Sequence, residues 1–197
     1  MKVLTPPFPA LPDAELRYLP GFLTPAEATR LMALFLETLP WRQDPITVFG
    51  KTYPQPRLTA LYGDGGKSYG YSGIRMHPLP FTPELSRLKA DVEAVSGERF
   101  STCLLNLYRD GQDSNGWHAD NEKELGTNPA IASLSLGDVR WFHLKHRGDK
   151  AHSYKIALEP GSLLLMGGSM QHHWVHQVPK TRREVGPRIN LTFRKIL

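Results

Sequence analysis

From residue 100 onward the hydrophobic pattern changes period, and that change limits the fold more than any other feature of the chain. "STCLLNLYR", "IASLSL", "VRWFHLKH", "YKIAL", "SLLLM", "HWVHQV" and "RINLTFRKI" are short, β-favouring segments separated by turn residues. Two earlier segments read at helical spacing instead. "TPAEATRLMALFLETLP" offers Thr24 as N-cap, Pro25 as the first helical residue and Glu27 to close a capping box. Its apolar face is expected from Met32, Phe35, Leu36 and Leu39, with Leu31 beside them. "TPELSRLKADVEAVSG" repeats the plan, with Thr82 as cap, Leu85, Leu88, Val92 and Val95 in phase, and Gly97 as the stop. The proline-rich first 20 residues read as an irregular arm. Residues 41–81, rich in Gly, Pro and Tyr, read as short strands and loops. This order predicts an α+β fold in which helices pack on one face of a largely antiparallel double sheet, a sandwich or jelly roll. A length of 197 residues and a hydrophobic content of 40% suit one domain with a proper core.

Composition narrows the setting. The single cysteine, Cys103, allows no internal disulfide framework, fits a reducing compartment and lies in an apolar run. The segment "MKVLTPPFPALPD" lacks the sustained apolar stretch of a signal peptide, and no run approaches 18 apolar residues. The expected setting is therefore intracellular, cytoplasm or nucleoid, or nucleus in a eukaryote, with no membrane partner. The formal net charge of +5 is a mild pull toward polyanions.

The last strand carries the chemistry. In "RINLTFRKI", Arg188, Asn190, Thr192 and Arg194 share one face and Ile189, Leu191 and Phe193 the other. Guanidinium groups are rarely buried without an anionic partner, so the polar face is either an exposed sheet face or a binding surface. "CLLNLYR" repeats the pattern, with Asn106 and Tyr108 on one face. "WHADNEKE" sets His118 and Asp120 two positions apart, which alone is either a polar turn or half of a metal site. His176 follows fifty-six positions after Asp120, with Arg188 and Arg194 beyond it; His172 and His173 are rival third ligands, and the spacing to the arginines favours His176. Two histidines and one carboxylate form the facial triad of non-haem Fe(II) oxygenases, leaving open positions for O₂ and substrate. Arginines with Asn, Thr and Tyr suit a small dicarboxylic acid such as 2-oxoglutarate. His143 and His146 lie in a basic stretch and are read as solvated or phosphate-facing. A zinc hydrolase would leave the arginine strand unexplained.

On "NLYRDG", "HADNE", "GSLLLMGG", "HHWVHQVP" and "PRINLTFRKI", residues 41–197 resemble the AlkB family of nucleic-acid demethylases, and "VFGK", "PRLTALYGD" and "YGYSG" resemble its nucleotide-recognition region. "VFGK" is most similar to the branch that repairs double-stranded DNA. The resemblance implies a double-stranded β-helix (jelly roll) core within one domain spanning 1–197, with 41–81 as a nucleotide-recognition lid. It implies Fe(II) held by His118, Asp120 and His176, and 2-oxoglutarate held by Asn106, Tyr108, Arg188, Asn190, Thr192 and Arg194, with O₂ as co-substrate. Within that ligand, Arg188 with Tyr108 would take the distal carboxylate and Arg194 the metal-bound end. Val48, Phe49, Gly50, Lys51, Arg57, Tyr69, Tyr71 and Glu122 would contact the substrate, with Phe49 filling the gap left by a flipped nucleotide. The implied reaction is oxidative demethylation of 1-methyladenine and 3-methylcytosine type bases by a monomer acting on alkylated DNA, with duplex ahead of single strand. Action on RNA, on other single strands or on protein is the alternative. Lys145, His146, Arg147, Lys150, Lys180, Arg182 and Arg183 would supply charge for the nucleic-acid backbone.

Overall fold

A computed structural model describes residues 1–48, 50–64, 69–71 and 74–197, with backbone alone for 47, 48, 69–71 and 74–76. In chain order the elements are β1 (Lys2–Val3), β2 (Glu15–Leu19), α1 (Pro25–Thr38), β3 (Pro45–Val48), β4 (Lys51–Pro54), β5 (Leu58–Gly63), β6 (Tyr69–Tyr71), β7 (Ile74–Met76), α2 (Pro83–Ser96), β8 (Thr102–Tyr108) and β9 (Asn115–His118). A 3₁₀ turn (Lys123–Leu125) leads to β10 (Ile131–Gly137), β11 (Arg140–His146), β12 (Ser153–Leu158), β13 (Leu163–Gly167), α3 (Met170–His173), β14 (Trp174–Val178) and β15 (Arg188–Arg194).

Among the described residues two large sheets form. One runs β2-β13-β10-β15-β8-β5 and the other β1-β12-β11-β14-β9. The β10, β15 and β8 ladders are antiparallel, whereas β1 lies parallel to β12. The six-stranded sheet is buried on both faces, so the alternation of its strands sorts residues into two cores. Cys103, Leu105 and Leu107 of β8 and Ile189, Leu191 and Phe193 of β15 pack with Leu31 and Phe35 of α1 and with Leu85, Leu88 and Val92 of α2. On the opposite side, Leu104 and Tyr108 join Phe142, Leu144, Ile156, Leu158 and Trp174 of the five-stranded sheet. Helices on one face of a two-sheet jelly roll are thus what the change of period predicts. All seven residues of β15 are buried, so its polar face is not a solvated sheet surface. That face points into the space between the sheets.

Local sequence explains the helices, with two differences. Thr24 and Thr82 cap α1 and α2, accepting from Glu27 N and Leu85 N at 3.2 Å each, and Gly97 ends α2 at φ 77°. The Glu27 carboxylate does not close the capping box; it takes Arg30 at 2.8 Å and Arg87 of α2 instead. The buried stripe of α1 is Ala28, Leu31, Phe35 and Leu39, with Leu36 39% exposed. One residue past Phe35 is a rotation of about 100°, which carries Leu36 out of the contact. Val95 is likewise exposed.

The N-terminal arm is less irregular than its prolines suggest. Leu16 and Tyr18, two apart on β2, pack on the core between the sheets, and Tyr18 O–H donates to Ala157 O at 3.0 Å. Within 41–81, β3–β4 and β6–β7 form separate hairpins, whereas β5 pairs with β8 at the edge of the six-stranded sheet.

Candidate active site

His118 ends β9 and His176 is its register partner on β14. Asp120 lies two residues past His118. The ligand-capable atoms of His118, Asp120 and His176 all lie within 4.8 Å of one another. The two imidazoles sit 4.3 Å apart at 69°, and His176 Nε2 is 3.8 Å from Asp120 Oδ2. His118 Nδ1 lies 2.7 Å from Gly116 O, a contact that needs Nδ1 protonated and puts the lone pair on Nε2, which Asn115 Nδ2 meets at 3.2 Å. A metal-bound histidine commonly holds its second nitrogen in this way. Burial, followed by the neighbouring His118, pushes the His176 pKa down to about 3, and burial also lowers that of His118. Both rings are therefore neutral at physiological pH and able to bind a cation. Burial opposes ionisation of Asp120, but the Arg194 guanidinium outweighs it and holds the carboxyl below its ordinary range. Arg194 Nη2 donates to Asp120 Oδ1 at 2.7 Å.

A second group of three, Asp13, His146 and His173, has comparable spacing. Its place sets it apart: Asp13 is exposed, and none of the three is in the lining of the pocket that holds His118, Asp120 and His176. His146 Nδ1 accepts from Gly148 N and Asp149 N at 3.1 and 3.0 Å, so Nε2 carries the proton and donates to Asp13 Oδ2 at 3.2 Å. His146 is thus a clamp on the N-terminal arm rather than solvated or phosphate-facing, and the rival ligand His173 belongs to this cluster.

The pocket at the triad is lined by Asn106, Tyr108, Arg188, Asn190, Thr192 and Arg194 together with His118, Asp120 and His176. Six residues of strand separate Arg188 from Arg194, about 20 Å of extended backbone, yet both reach this one space. Arg188 is 1% exposed. Its Nη2 donates to Ser135 Oγ at 2.9 Å, and its guanidinium lies 5.3 Å from the Tyr108 ring centroid. Nε and Nη1 are buried with no hydrogen-bond partner among the described residues. Burial pulls its pKa down to about 10, still protonated at neutral pH. A buried cation with unmatched donors calls for an anion in the same cavity, and a carboxylate of 2-oxoglutarate fits that demand. Asn190 donates to Ser133 Oγ and Leu134 O, and Thr192 to Asn190 Oδ1, so these two form the floor.

A family model described as the 2OG-Fe(II) oxygenase superfamily matches residues 15–194. Relatives similar to the chain include mouse alpha-ketoglutarate-dependent dioxygenase alkB homolog 3, 41% identical over 90% of this chain and 64% of its own length. Human DNA oxidative demethylase ALKBH2 is 40% identical over 77% of this chain and 61% of its own length. Its Arabidopsis thaliana namesake is 34% identical over 93% of this chain and 67% of its own length. The chain belongs to the 2OG-Fe(II) oxygenase superfamily, in its AlkB family. It spans somewhat under two thirds of the mouse and human relatives. A solved structure titled "The structure of OsALKBH1" superposes with a TM-score of 0.65 at 19% identity, covering 91% of this chain and 97% of that one, which supports the same fold. The superfamily's metal and co-substrate, Fe(II) and 2-oxoglutarate, match the two demands of the pocket: neutral histidines with a carboxylate, and a buried unmatched cation.

Among the described residues, none of those implied for substrate contact is in the lining of this pocket. Gly50, at φ 74°, and exposed Lys51 belong to the β3–β4 hairpin; Phe49 and the side chains of Val48, Tyr69 and Tyr71 lie outside the described residues. Arg57 is buried, donating to Asn106 Oδ1 at 2.8 Å and Ser114 O at 3.2 Å, and so braces the pocket wall from behind. Glu122 is partly buried at the start of the 3₁₀ turn, four residues past His118. Lys145, Arg147, Lys150, Lys180, Arg182 and Arg183 are exposed, with Lys145 Nζ 4.1 Å from the exposed Trp117 ring centroid. Sequence reading missed Ser135 and Arg140. The buried Arg140 donates to Asp110 O, Asp113 O and Pro179 O and lies 5.6 Å from the Tyr108 ring centroid. "IASLSL" did hold a signal for Ser135, since Ser133 and Ser135 alternate with core residues.

Proposed function

We propose that the chain is an Fe(II)- and 2-oxoglutarate-dependent dioxygenase that removes methyl groups from N-alkylated bases of the 1-methyladenine and 3-methylcytosine type in DNA. The observation that carries the reading is the His-Asp-His cluster, its two rings neutral, opening onto the same cavity as the buried Arg188. His118, Asp120 and His176 would hold the iron. Asn106, Tyr108, Arg188, Asn190, Thr192 and Arg194 would surround 2-oxoglutarate, with Arg188 and Tyr108 at one carboxylate and Arg194 steadying Asp120 at the metal end. Bound together, iron, 2-oxoglutarate and O₂ supply the oxidising power that hydroxylates an N-methyl group. The hydroxymethyl product then loses formaldehyde and leaves the unmodified base. The protein's part is orientation, exclusion of water and presentation of the base.

A methyl on a Watson–Crick edge is hidden in the stack, so the base must be extruded, and lesions that weaken pairing lower that cost. The relative named DNA oxidative demethylase ALKBH2 supports DNA as substrate, and the exposed basic residues supply backbone contact. Tyr69, Tyr71 and Glu122 would receive the base, and Val48, Phe49, Gly50 and Lys51 would form a finger entering the duplex. Residues 41–81 would then act as the lid of a single domain. Among the described residues no helix is long and apolar enough to cross a membrane. An intracellular monomer working on duplex DNA completes the reading.

The test is stoichiometric. Incubation with Fe(II), 2-oxoglutarate, O₂ and a 3-methylcytosine oligonucleotide should release succinate and formaldehyde in step with loss of the methyl group. Equal turnover with a methylated RNA, or with a peptide in place of nucleic acid, would transfer the activity to those substrates. Phe49→Ala separates the strand preferences. A wedge offsets unstacking, a cost on the order of a few kcal/mol that exists only in duplex. The variant should therefore slow duplex repair clearly more than single-strand repair at unchanged melting temperature. Equal loss on both, or a large fall in melting temperature, would place Phe49 in the core.

A further inference from the structure

Gln171 lies in α3, five residues before His176, and is 1% exposed. It is not charged, not a ligand and not in the pocket wall. Its Oε1 accepts the backbone N–H of Asp120 at 2.9 Å, across fifty-one positions of sequence, and its Nε2 lies 4.0 Å from Met166 Sδ. The two contacts fix the amide orientation: turned over, the NH₂ would oppose the Asp120 N–H and the oxygen would face the sulfur, losing both. Met166 itself lines the pocket.

From this geometry we infer that Gln171 is a positioning residue for the metal centre, joining the segment that bears Asp120 to the segment that bears His176. The inference rests on the triad being the metal site. Asp120 stands outside any strand, two residues past the end of β9, so no sheet ladder holds its backbone. Its side chain is held on one oxygen by Arg194, and its main chain is held by Gln171. α3 runs directly into β14, where His176 pairs with His118. One side chain therefore ties two of the three ligands into a single rigid unit. Groups behind the ligands of a metal centre change affinity by about 10–100-fold when removed.

The test compares two variants of similar size. Gln171→Met removes the oxygen acceptor, and Gln171→Glu keeps an acceptor facing the Asp120 N–H. The probe is Mn(II) alone, titrated into metal-free protein and followed by its paramagnetic resonance signal, with melting temperature recorded in parallel. Gln171→Met should weaken Mn(II) binding about tenfold or more with a small change in melting temperature, and Gln171→Glu should retain most of the affinity. If Gln171→Met binds Mn(II) as the parent does, or both variants lose affinity equally, the positioning role is wrong. A loss of melting temperature shared by both variants at parental affinity would make the residue merely structural. Failure of the parent itself to bind Mn(II) would instead overturn the metal site on which the inference stands.

Discussion

Arg188→Met is expected to abolish productive 2-oxoglutarate binding while leaving the metal-free protein as stable as the parent, or more so. The opposite signs follow from burial. The guanidinium is 1% exposed, it bonds Ser135 Oγ and Tyr108, and Nε and Nη1 have no hydrogen-bond partner among the described residues. Replacing such a cation by an apolar side chain of similar length removes a desolvation cost. When the dicarboxylate is bound, the same cation faces an anion, and truncating one partner of a buried charged pair costs about 2–5 kcal/mol. At about 1.4 kcal/mol per decade this is roughly 30- to 3000-fold in affinity. Calorimetric titration of 2-oxoglutarate together with a melting curve reads both arms. Unchanged affinity, or a drop of several kcal/mol in ligand-free stability, would remove Arg188 from the co-substrate site.

Asp120→Ala should do two kinds of damage at once. Metal binding is lost with the carboxylate, and Arg194, 3% exposed, loses the anion that it meets at 2.7 Å. Breaking a buried pair from one side costs about 3–5 kcal/mol, which for a chain of this size is a fall of about 10 °C in melting temperature at about 2–4 °C per kcal/mol. The ligand positions are therefore not all neutral for the fold. His118→Ala, whose ring meets Gly116 O and Asn115 beyond the triad among the described residues, should lose metal with little change in melting temperature. Adding Arg194→Met to Asp120→Ala should recover most of the lost stability without restoring turnover. A melting temperature for Asp120→Ala equal to that of His118→Ala would show that the Arg194 pair contributes nothing.

The jelly roll was legible because a buried strand must satisfy two environments at once. In β15 the apolar set meets the helices, and the polar set has no role other than facing a ligand cavity. The same logic located Asn106 and Tyr108. The third metal ligand was legible as a preference for His176 over His172 and His173 on its spacing to the arginines, although sequence spacing carries no distance across a sheet. The β9–β14 register, His118 against His176, resolves it. β9 itself was missed: "NGWH" has no apolar alternation and owes its extended form to pairing with β14. β2 was hidden by neighbouring prolines although Leu16 and Tyr18 already alternate. Gln171 left no signal at all. Its one decisive contact is with a backbone N–H far away in sequence, a donor that every residue type except proline offers.

The most direct measurement of the central claim is intact-mass spectrometry of a 3-methylcytosine duplex incubated with the protein, Fe(II), 2-oxoglutarate and O₂. The strand should lose the mass of one CH₂ unit, formaldehyde and succinate should appear in equal amounts, and His176→Ala should yield none of the three. A strand that keeps its methyl group while 2-oxoglutarate is consumed, or that loses it equally with His176→Ala, would contradict the account.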